Sequence, residues 1–226
     1  MGKTYFVTGT DTDVGKTLVS CGLLEAARKK ELKTLALKPI AAGCETTSDG
    51  LRNEDALRLM RSATLELPYD LVNPIALELA IAPHIAAREA GVRITVDRLA
   101  GYCRGALLRK NDLALIEGAG GWRVPLSDRE RLSGLPKALN TPVILVVGMK
   151  LGCINHTLLT AEAILRDGLP LAGWVANQVD SQMSCFDENL QTLTDMMPAP
   201  CLGVVPFLKE ANGDTAAEYL DISTLL

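Results

Sequence analysis

Several residue types that mark common classes of protein are scarce in this chain of 226 residues. Aromatic residues make up 4% of it, there are two histidines, and the six cysteines include no Cys-x-x-Cys pair. A structural zinc site needs clustered cysteine and histidine ligands, so we expect none. Scattered cysteines are typical of reduced thiols in a cytosol, and we expect a cytoplasmic protein.

Long apolar runs and basic blocks are missing as well. The longest dense apolar stretch, residues 142–148, is far shorter than the roughly 20 residues that span a bilayer. The longest basic block is residues 28–30, and the net charge is −4. We therefore expect neither a membrane nor a nucleic acid as partner. Because Tyr5-Phe6-Val7 leads directly into a polar loop, we expect no secretory leader either.

Short apolar segments alternate with helical patterns, which is typical of an α/β fold with a mainly parallel sheet. The predicted strands are 4–8, 34–38, 112–116, 142–147, 171–176 and 201–205. The predicted helices are 16–30, 53–62, 83–90, 96–109, 153–167 and 184–196. We expect one domain, residues 1–226, with helices on both faces of the sheet.

Individual residues indicate where some of these helices begin and which side of one helix packs on the sheet. Asn53, Thr95 and Asn155 are residue types that favour caps and first turns, and they stand at or near predicted helix starts. In the helix 153–167, the apolar spacing of three and four residues predicts the side that packs on the sheet. That side is Ile154, Leu158, Ala161 and Leu165.

The most informative motif is Gly-Thr-Asp-Thr-Asp-Val-Gly-Lys-Thr at residues 9–17, between a predicted strand and a predicted helix. This context is typical of a phosphate-binding loop, whose backbone N–H groups and helix N-terminus attract an anion. Lys16 is expected to contact the β- and γ-phosphates, and the Thr17 hydroxyl to bind Mg²⁺. Thr10 stands where the usual motif has its first glycine, and a chance glycine-rich turn is the alternative.

Charged residues follow other predicted strands at the same edge of the sheet. Glu117 follows the strand 112–116 and suits Mg²⁺, although a strand-end glutamate can also pair with a lysine. Lys38 ends the second predicted strand and is expected to project beside Lys16, although a solvated lysine is the commoner case. Asp55 is, by sequence alone, an acidic residue favourably placed at a helix start.

A polar tetrapeptide, Asn177-Gln178-Val179-Asp180, follows the strand 171–176. The Asn177 amide can donate to and accept from a purine edge, so we interpret it as a reader of the nucleotide base. The tetrapeptide also resembles the Asn-Lys-x-Asp element with which GTPases read guanine, with Gln178 in place of lysine. The sequence therefore leaves the identity of the nucleotide open.

Four motifs in this order resemble the dethiobiotin synthetases, a family of ATP-dependent biotin-pathway ligases. The first two are residues 9–17 and Lys38-Pro39. The third is Glu-Gly-Ala-Gly-Gly-Trp at 117–122, taken together with Pro-Leu-Ser-Asp at 125–128. The fourth is Lys-Leu-Gly-Cys-Ile-Asn-His at 150–156. The resemblance runs from Tyr5 to about Leu208. It implies a P-loop NTPase fold and a homodimer that uses ATP and Mg²⁺ to convert 7,8-diaminononanoate and CO₂ or bicarbonate into dethiobiotin, ADP and phosphate.

The resemblance also implies roles for individual residues. Lys16 and Lys38 would be catalytic, and Thr17, Asp55 and Glu117 would hold Mg²⁺. The implied nucleotide contacts are Asp13, Val14, Gly15, Lys16, Thr17, Asp55, Glu117, Gly118, Ala119, Gly120, Asn177, Gln178, Pro206, Phe207 and Leu208. The implied substrate contacts are Thr12, Ala42, Gly152, Cys153, Ile154 and Asn155, the last four at a helix start that the partner subunit contributes.

Three positions depart from the family pattern. Ala42 stands where relatives often have serine or threonine, Asn189 where some have tyrosine, and Gln178 where an acidic residue is usual. These departures concern substrate affinity and base preference. The residues at the phosphate-binding and metal-binding positions match the family pattern.

Two rival functions share this fold. One is a nucleotide-switch ATPase of the partitioning or iron-protein type. Proteins of that type resemble one another in carrying a second lysine five residues before the motif lysine. Asp11 occupies that position here and argues against this rival. The other is a non-catalytic nucleotide-binding domain, against which the retention of Thr17, Lys38, Asp55 and Glu117 argues.

Overall fold

The structure is a computed structural model that describes residues 2–226. Its strands are β1 (Lys3–Gly9), β2 (Thr34–Leu37), β3 (Ile40–Ala42), β4 (Glu45–Thr47), β5 (Gly50–Arg52), β6 (Ile75–Leu77), β7 (Leu113–Gly121), β8 (Val143–Met149), β9 (Leu171–Gln178) and β10 (Cys201–Val205). Six of them form the central sheet in the order β10, β9, β8, β1, β7, β2, and every neighbouring pair is parallel. The remaining strands form two small two-stranded ribbons, β3 with β6 and β4 with β5.

The helices connect these strands. They are α1 (Lys16–Arg28), α2 (Glu54–Ser62), α3 (Tyr69–Val72), α4 (Pro83–Glu89), α5 (Val96–Leu107), α6 (Gly134–Leu139), α7 (Cys153–Arg166), α8 (Phe186–Met196) and α9 (Gly213–Ala217), with a 3₁₀ turn at Ser223–Leu225. Within residues 2–226, no helix combines the length and the apolar content needed to cross a membrane.

The predicted α/β fold is confirmed, and the six predicted strands are the six strands of the central sheet. The six predicted helices are present with ends shifted by at most two residues. Asn53 and Thr95 cap α2 and α5, since their side chains accept bonds from Ala56 N and Arg98 N. The short elements within 39–52, 69–77 and 134–139 carried too few residues for a periodic signal.

The sheet separates two apolar cores because successive strand residues point to opposite faces. On β1, Phe6 belongs to the core that packs against α5, α7 and α8, whereas Tyr5 and Val7 belong to the core beneath α1 and α9. All three side chains are buried. The helices therefore cover both faces, as the continuous apolar strands predict.

The predicted packing side of α7 is confirmed for Ile154, Leu158 and Ala161, which pack against the core, but it is wrong for Leu165. The buried residues are Cys153, Thr157, Ala161 and Ile164, whereas Leu165 is 46% exposed. An apolar stripe indicates a sheet-facing side only when the remaining face is polar, and α7 carries apolar residues on both. Leu151 and Leu159, exposed by 94% and 57%, continue the outer apolar surface.

Strand β7 is also longer than predicted. It continues through Glu117 to Gly121, and its register with β1 shifts after the Val7–Glu117 pair, so that Gly9 pairs with Gly121. Glu117 therefore lies within the strand rather than at its end. The glycines at 118, 120 and 121 permit this irregular extension because they lack side chains that would have to be packed.

The segment after β7 folds back and is anchored to the end of α7 through Asp167. This carboxylate accepts bonds from Trp122 Nε1 at 2.9 Å and from Arg123 Nη1 and Nη2 at 2.6 and 3.2 Å. The Trp122 ring meets the Phe6 ring edge-on, with 6.2 Å between centroids. Burial alone raises the pKa of Asp167, but the bonds from Arg123 and Trp122 outweigh burial and lower it.

We predict that Asp167→Asn lowers the free energy of unfolding at neutral pH by about 1–3 kcal/mol, because a charged acceptor of several hydrogen bonds is lost. The folded-state pKa of Asp167 lies below its unfolded value, so this stabilisation is present above pH of about 4 and is lost as the pH falls through the folded pKa. Urea denaturation at pH 7 and at pH 3 measures it.

The exposed Glu162 on the same helix provides the matched control. We expect Glu162→Gln to leave the unfolding free energy within about 0.5 kcal/mol of the wild type at both pH values. An equal loss of stability in Asp167→Asn at both pH values would show that the anchor does not depend on the charge.

Candidate active site

The phosphate-binding loop connects β1 to α1 at the carboxyl edge of the sheet. In this sheet β1 lies between β7 and β8, and the chain crosses from one side of β1 to the other between those two strands. Ligands of open parallel sheets bind at such a switch point. The loop ends at Gly15, which precedes α1 in the left-handed conformation with φ of 85°.

A side chain from β9 holds the loop in place. Asn177 Nδ2 donates to the Val14 carbonyl oxygen at 2.9 Å, and Asn177 is 4% exposed. A Cβ atom at Gly15 would lie 2.2 Å from that same nitrogen. Glycine is therefore required here both for its backbone conformation and for the close approach of Asn177.

The two predicted catalytic lysines have different surroundings. Lys16 is buried at the start of α1, and its Nζ donates to the Asp11 carbonyl oxygen at 3.0 Å. Burial, reinforced by the charge of Lys38, lowers the pKa of Lys16 to about 8. A phosphate group would restore the preference for the charged form, so this site is arranged to receive an anion.

Lys38 lies within a cluster of oxygen atoms. Its Nζ donates to Glu117 Oε1 at 2.6 Å, to Asp55 Oδ2 at 3.1 Å and to the Gly118 carbonyl oxygen at 3.2 Å. The Thr17 hydroxyl donates to the same Glu117 oxygen at 2.8 Å. Four sequence-predicted residues from four segments of the chain therefore meet in one cluster.

The charges in this cluster stabilise one another. Burial alone lowers the pKa of Lys38, but the neighbouring Glu117 and Asp55 carboxylates outweigh burial and raise it. Burial alone raises the pKa of Asp55, and Lys38 and the Thr17 hydroxyl outweigh that effect and lower it. Lys38 is thus a cation and Asp55 an anion at neutral pH.

The second oxygen of Glu117 points to a missing ligand. Glu117 has no exposed surface, and its Oε2 atom has no hydrogen-bond partner within residues 2–226. A buried unpaired carboxylate oxygen is costly, and in native proteins it needs an explanation. The Thr17 hydroxyl and the Asp55 and Glu117 carboxylates are hard oxygen donors, so the set fits Mg²⁺.

This donor set is small. Among the residues that the structure describes, no group of three or more His, Cys, Asp or Glu side chains is arranged to hold a metal ion. Mg²⁺ in nucleotide enzymes is usually held by one or two carboxylates together with substrate phosphates and water. Two carboxylates and a hydroxyl are consistent with a metal that binds together with a nucleotide.

The predicted substrate contacts come from three segments of the chain: the loop after β1, the end of β3 and the start of α7. Thr12 is exposed in the loop, and Ala42 is half-buried at the end of β3. Gly152 directly precedes α7 with φ of 94°, and the helix N-terminus has no side-chain cap. Of the residues there, Cys153 is buried, Ile154 is half-buried and Asn155 is exposed.

The predicted base contacts lie where β9 and β10 end side by side. Asn177 pairs with Val205 across these strands, and Pro206 follows directly. Gln178 Oε1 accepts a bond from the Phe207 backbone N–H at 3.3 Å, while the Phe207 ring is 49% exposed. Gln178 therefore links the two strand ends, and Leu208 packs against the core beneath α1.

Two polar residues that we did not anticipate lie behind the cluster. The Tyr69 hydroxyl and the Asn73 side chain connect the backbone of Lys38 to the start of α2. The Asn-Pro dipeptide at 73–74 indicates a turn but carries no indication of these bonds. They depend on contacts between segments far apart in the chain.

Fold and site together define a P-loop nucleoside triphosphatase. A family model described as an AAA domain matches residues 3–215. Among solved structures, the septum site-determining protein MinD of Pyrococcus horikoshii, complexed with Mg-ADP, is similar over 98% of this chain and 88% of its own, with a TM-score of 0.55 and 18% identity. That likeness concerns the fold alone.

Comparison with curated relatives identifies the family within this class. The chain is 58% identical to the ATP-dependent dethiobiotin synthetase of Cellvibrio japonicus, over 99% of this chain and 98% of that protein. It is 56% identical to the enzyme of the same name from Marinobacter nauticus, over 99% and 97%. The chain belongs to the ATP-dependent dethiobiotin synthetase family, as the four motifs predict.

We predict that Gly15→Ala weakens nucleotide binding by at least about 100-fold, because the added Cβ collides with Asn177 and displaces the loop. Isothermal titration with ADP measures the affinity. Gly168→Ala is the matched control, since Gly168 has a similar φ of 81° but open space around its Cβ position. It is expected to cost about 1 kcal/mol of stability and no affinity. Unchanged affinity in Gly15→Ala would contradict the close contact.

Proposed function

We propose that this chain is the ring-closing ligase that converts 7,8-diaminononanoate, CO₂ and ATP into dethiobiotin, ADP and phosphate. The observation that carries this proposal is the cluster of Lys38, Glu117, Asp55 and Thr17 beside the phosphate-binding loop. A module that only bound nucleotide would have no use for a second buried lysine at this edge. We further propose that residues 1–226 act as one domain in the cytoplasm.

The reaction brings anions together, which explains the positive charge. One substrate amine adds to CO₂ and loses a proton, which gives a carbamate. A carbamate oxygen then attacks the γ-phosphorus while the bond to the β-phosphate oxygen breaks, so ADP leaves. The second amine attacks the carbamate carbon, phosphate leaves, and the ring closes with loss of a proton.

The two lysines supply the electrostatic stabilisation that this sequence requires. Lys16 lies at the N-terminus of α1, where its ammonium and the backbone N–H groups of residues 13–17 bind the phosphates. Lys38 is proposed to hold the carbamate beside the transferring phosphoryl group. Charge that develops in a buried site is stabilised best by groups already fixed there.

We propose Thr17, Asp55 and Glu117 as the protein ligands of Mg²⁺. When bound, the ion supplies charge neutralisation at the phosphate oxygens. Glu117 contributes the unpaired Oε2 atom, and Asp55, whose side chain is 43% exposed, has room to reorient. The side chains of Lys38 and Thr17 already orient the other oxygen of Glu117.

We propose that Asn177, with Gln178 and residues 206–208, forms the base side of the nucleotide site. The Asn177 amide nitrogen is engaged by the Val14 carbonyl oxygen, which orients the amide oxygen to accept a bond from a base. The exposed Phe207 ring is available to stack. Gly118, Ala119 and Gly120 let the backbone approach the ligands closely.

The far carboxylate of the substrate is proposed to bind at the N-terminus of α7, from Gly152 to Asn155, in a partner subunit. Free N–H groups at a helix start attract anions without a charged side chain. Leu151, which precedes α7, and Leu159 on α7 are 94% and 57% exposed, and this apolar surface fits burial against a second copy. Thr12 and Ala42 would contact the substrate from the catalytic subunit.

We predict that phosphate release with Mg-ATP and bicarbonate requires the diamine, and that Lys38→Gln lowers kcat by at least about 100-fold while ADP affinity changes little. The charge that stabilises the transferring group is lost, whereas the phosphate-binding loop is intact. A coupled phosphate assay and calorimetric titration measure the two properties.

The exposed Lys33, just before β2, gives the control variant Lys33→Gln with unchanged kcat. Thermal melts establish that each variant is folded. Diamine-independent release by the wild type would favour a nucleotide-switch ATPase over the ligase. Loss of ADP affinity in Lys38→Gln would place Lys38 in the nucleotide site.

Mixed dimers test the shared site. Lys38→Gln removes the catalytic lysine, and Asn155→Glu places a carboxylate where the substrate carboxylate is proposed to bind, so each variant alone is expected to be nearly inactive. After random exchange, half of the dimers are hybrids with one intact site of two. Activity should therefore recover to about a quarter of the wild-type value.

Two measurements complete that test. Analytical ultracentrifugation of the wild type should show a dimer. A mixture that stays at the summed activity of the two variants, after subunit exchange is verified by mass labelling, would place both residues in the site of a single subunit.

A further inference from the structure

A closed ring of hydrogen bonds joins the backbone of Lys38 to the helix that carries Asp55. Asn73 Nδ2 donates to the Lys38 carbonyl oxygen at 2.6 Å, and Asn73 Oδ1 accepts from the Tyr69 hydroxyl at 2.9 Å. The Asn53 backbone N–H donates to the same hydroxyl at 2.7 Å. The salt bridge between Lys38 Nζ and Asp55 Oδ2 at 3.1 Å closes the ring.

The position of Asp55 depends on this ring because of where α2 begins. Asn53 is the N-cap of α2, and its Oδ1 accepts from Ala56 N at 3.2 Å. Asp55 is the second residue of the helix, so a shift of the Asn53 backbone moves its carboxylate by a similar amount. The Tyr69 hydroxyl therefore acts as a spacer between the backbones of Lys38 and of α2.

Low solvent exposure and several hydrogen bonds make this closed ring of hydrogen bonds rigid. Asn73 is 2% exposed and Asn53 is 8% exposed, so water competes weakly for their bonds. The Tyr69 hydroxyl both accepts and donates a bond, and the Arg52 guanidinium lies over the Tyr69 ring at 4.2 Å from its centre. The Lys38 backbone N–H also donates to the Val72 carbonyl oxygen at 2.9 Å.

We infer that Tyr69 and Asn73 are positioning residues that set the separation of Lys38 and Asp55. They act through the Lys38 backbone and the start of α2, and they do not touch the reacting atoms. This inference rests on the proposed function, because it gives the two residues a role in metal binding through Asp55. Partners of metal ligands typically change metal affinity by 10- to 100-fold when they are removed.

The test measures Mn²⁺ affinity in the presence of saturating ADP by electron paramagnetic resonance, which needs no turnover. Tyr69→Phe keeps the ring and its contact with Arg52 and removes only the hydroxyl. We expect Mn²⁺ to bind at least about 10-fold more weakly, with ADP affinity unchanged because the phosphate-binding loop is not altered.

The chain provides a matched control in Tyr102. Like the Tyr69 hydroxyl, its hydroxyl accepts a hydrogen bond, here from Arg98 Nε at 3.2 Å, and the Arg98 guanidinium lies 5.7 Å from its ring centre. Tyr102 belongs to α5, and among residues 2–226 its hydroxyl forms no hydrogen bond with the cluster. We expect Tyr102→Phe to leave Mn²⁺ affinity unchanged, so an effect of Tyr69→Phe is not a general consequence of losing a tyrosine hydroxyl.

A double-mutant cycle separates positioning from a general structural effect. We expect Asp55→Asn to weaken Mn²⁺ binding by itself. In the Asp55→Asn background, Tyr69→Phe should have no further effect, because the hydroxyl acts through that carboxylate. Asn73→Asp, which replaces the donor to the Lys38 carbonyl oxygen with an acceptor, should reproduce the effect of Tyr69→Phe.

The possible results distinguish the metal role of Asp55 from the positioning role of Tyr69. If Asp55→Asn binds Mn²⁺ as the wild type does, the proposed metal role of Asp55 fails, and this inference fails with it. If Asp55→Asn weakens binding but Tyr69→Phe does not, only the positioning inference fails. A Tyr69→Phe effect that persists undiminished without Asp55, or a Tyr69→Phe protein that does not fold at 25 °C, would show a structural role instead.

Discussion

The burial of Lys38 against Glu117 is the interaction on which the rest of the site depends. Neither side chain can be removed from water alone, because an isolated buried charge costs several kcal/mol. The 2.6 Å bond between them satisfies one carboxylate oxygen, which also accepts a bond from the Thr17 hydroxyl. Asp55 and the Gly118 carbonyl oxygen complete the surroundings of the lysine. Oxygen atoms from other segments must therefore lie beside this pair, and they come from Thr17 on α1 and Asp55 on α2. The unpaired Glu117 Oε2 is the part that the chain itself leaves unsatisfied.

The parallel sheet makes this convergence possible. Strands β1, β7 and β2 end at the same edge and are adjacent in the order β1, β7, β2. The loop after β1, Glu117 on β7 and Lys38 after β2 therefore meet, although long stretches of chain separate them. Asp55 is the exception, because it belongs to α2 and not to a strand end. Its location relative to Lys38 requires a separate connection, and the hydrogen bonds of Tyr69 and Asn73 supply one.

The central sheet was predictable because buried parallel strands are short, continuous apolar runs, and residues 142–148 are the clearest example. The phosphate-binding loop was predictable because its function requires particular residues at fixed spacing between a strand and a helix. The exposure of Leu165 on α7 was not predictable, because the apolar residues of this helix occupy two faces and the sequence pattern does not show where the packed side ends. The extension of β7 past Glu117 was not predictable either, because glycines indicate a loop as readily as an irregular strand.

The α/β class, the order of strands and helices along the chain, and the residues of the phosphate-binding loop all follow from the amino-acid sequence alone. These features are local, since each depends on the periodicity or the backbone freedom of a few consecutive residues. Three contacts become visible only in the folded chain: the ammonium of Lys38 lies between Glu117 and Asp55, Asn177 bonds to Val14, and Tyr69 links Lys38 to α2. Those contacts join segments up to 163 residues apart. Their geometry depends on how the whole sheet brings its strand ends together, which no short stretch of sequence encodes.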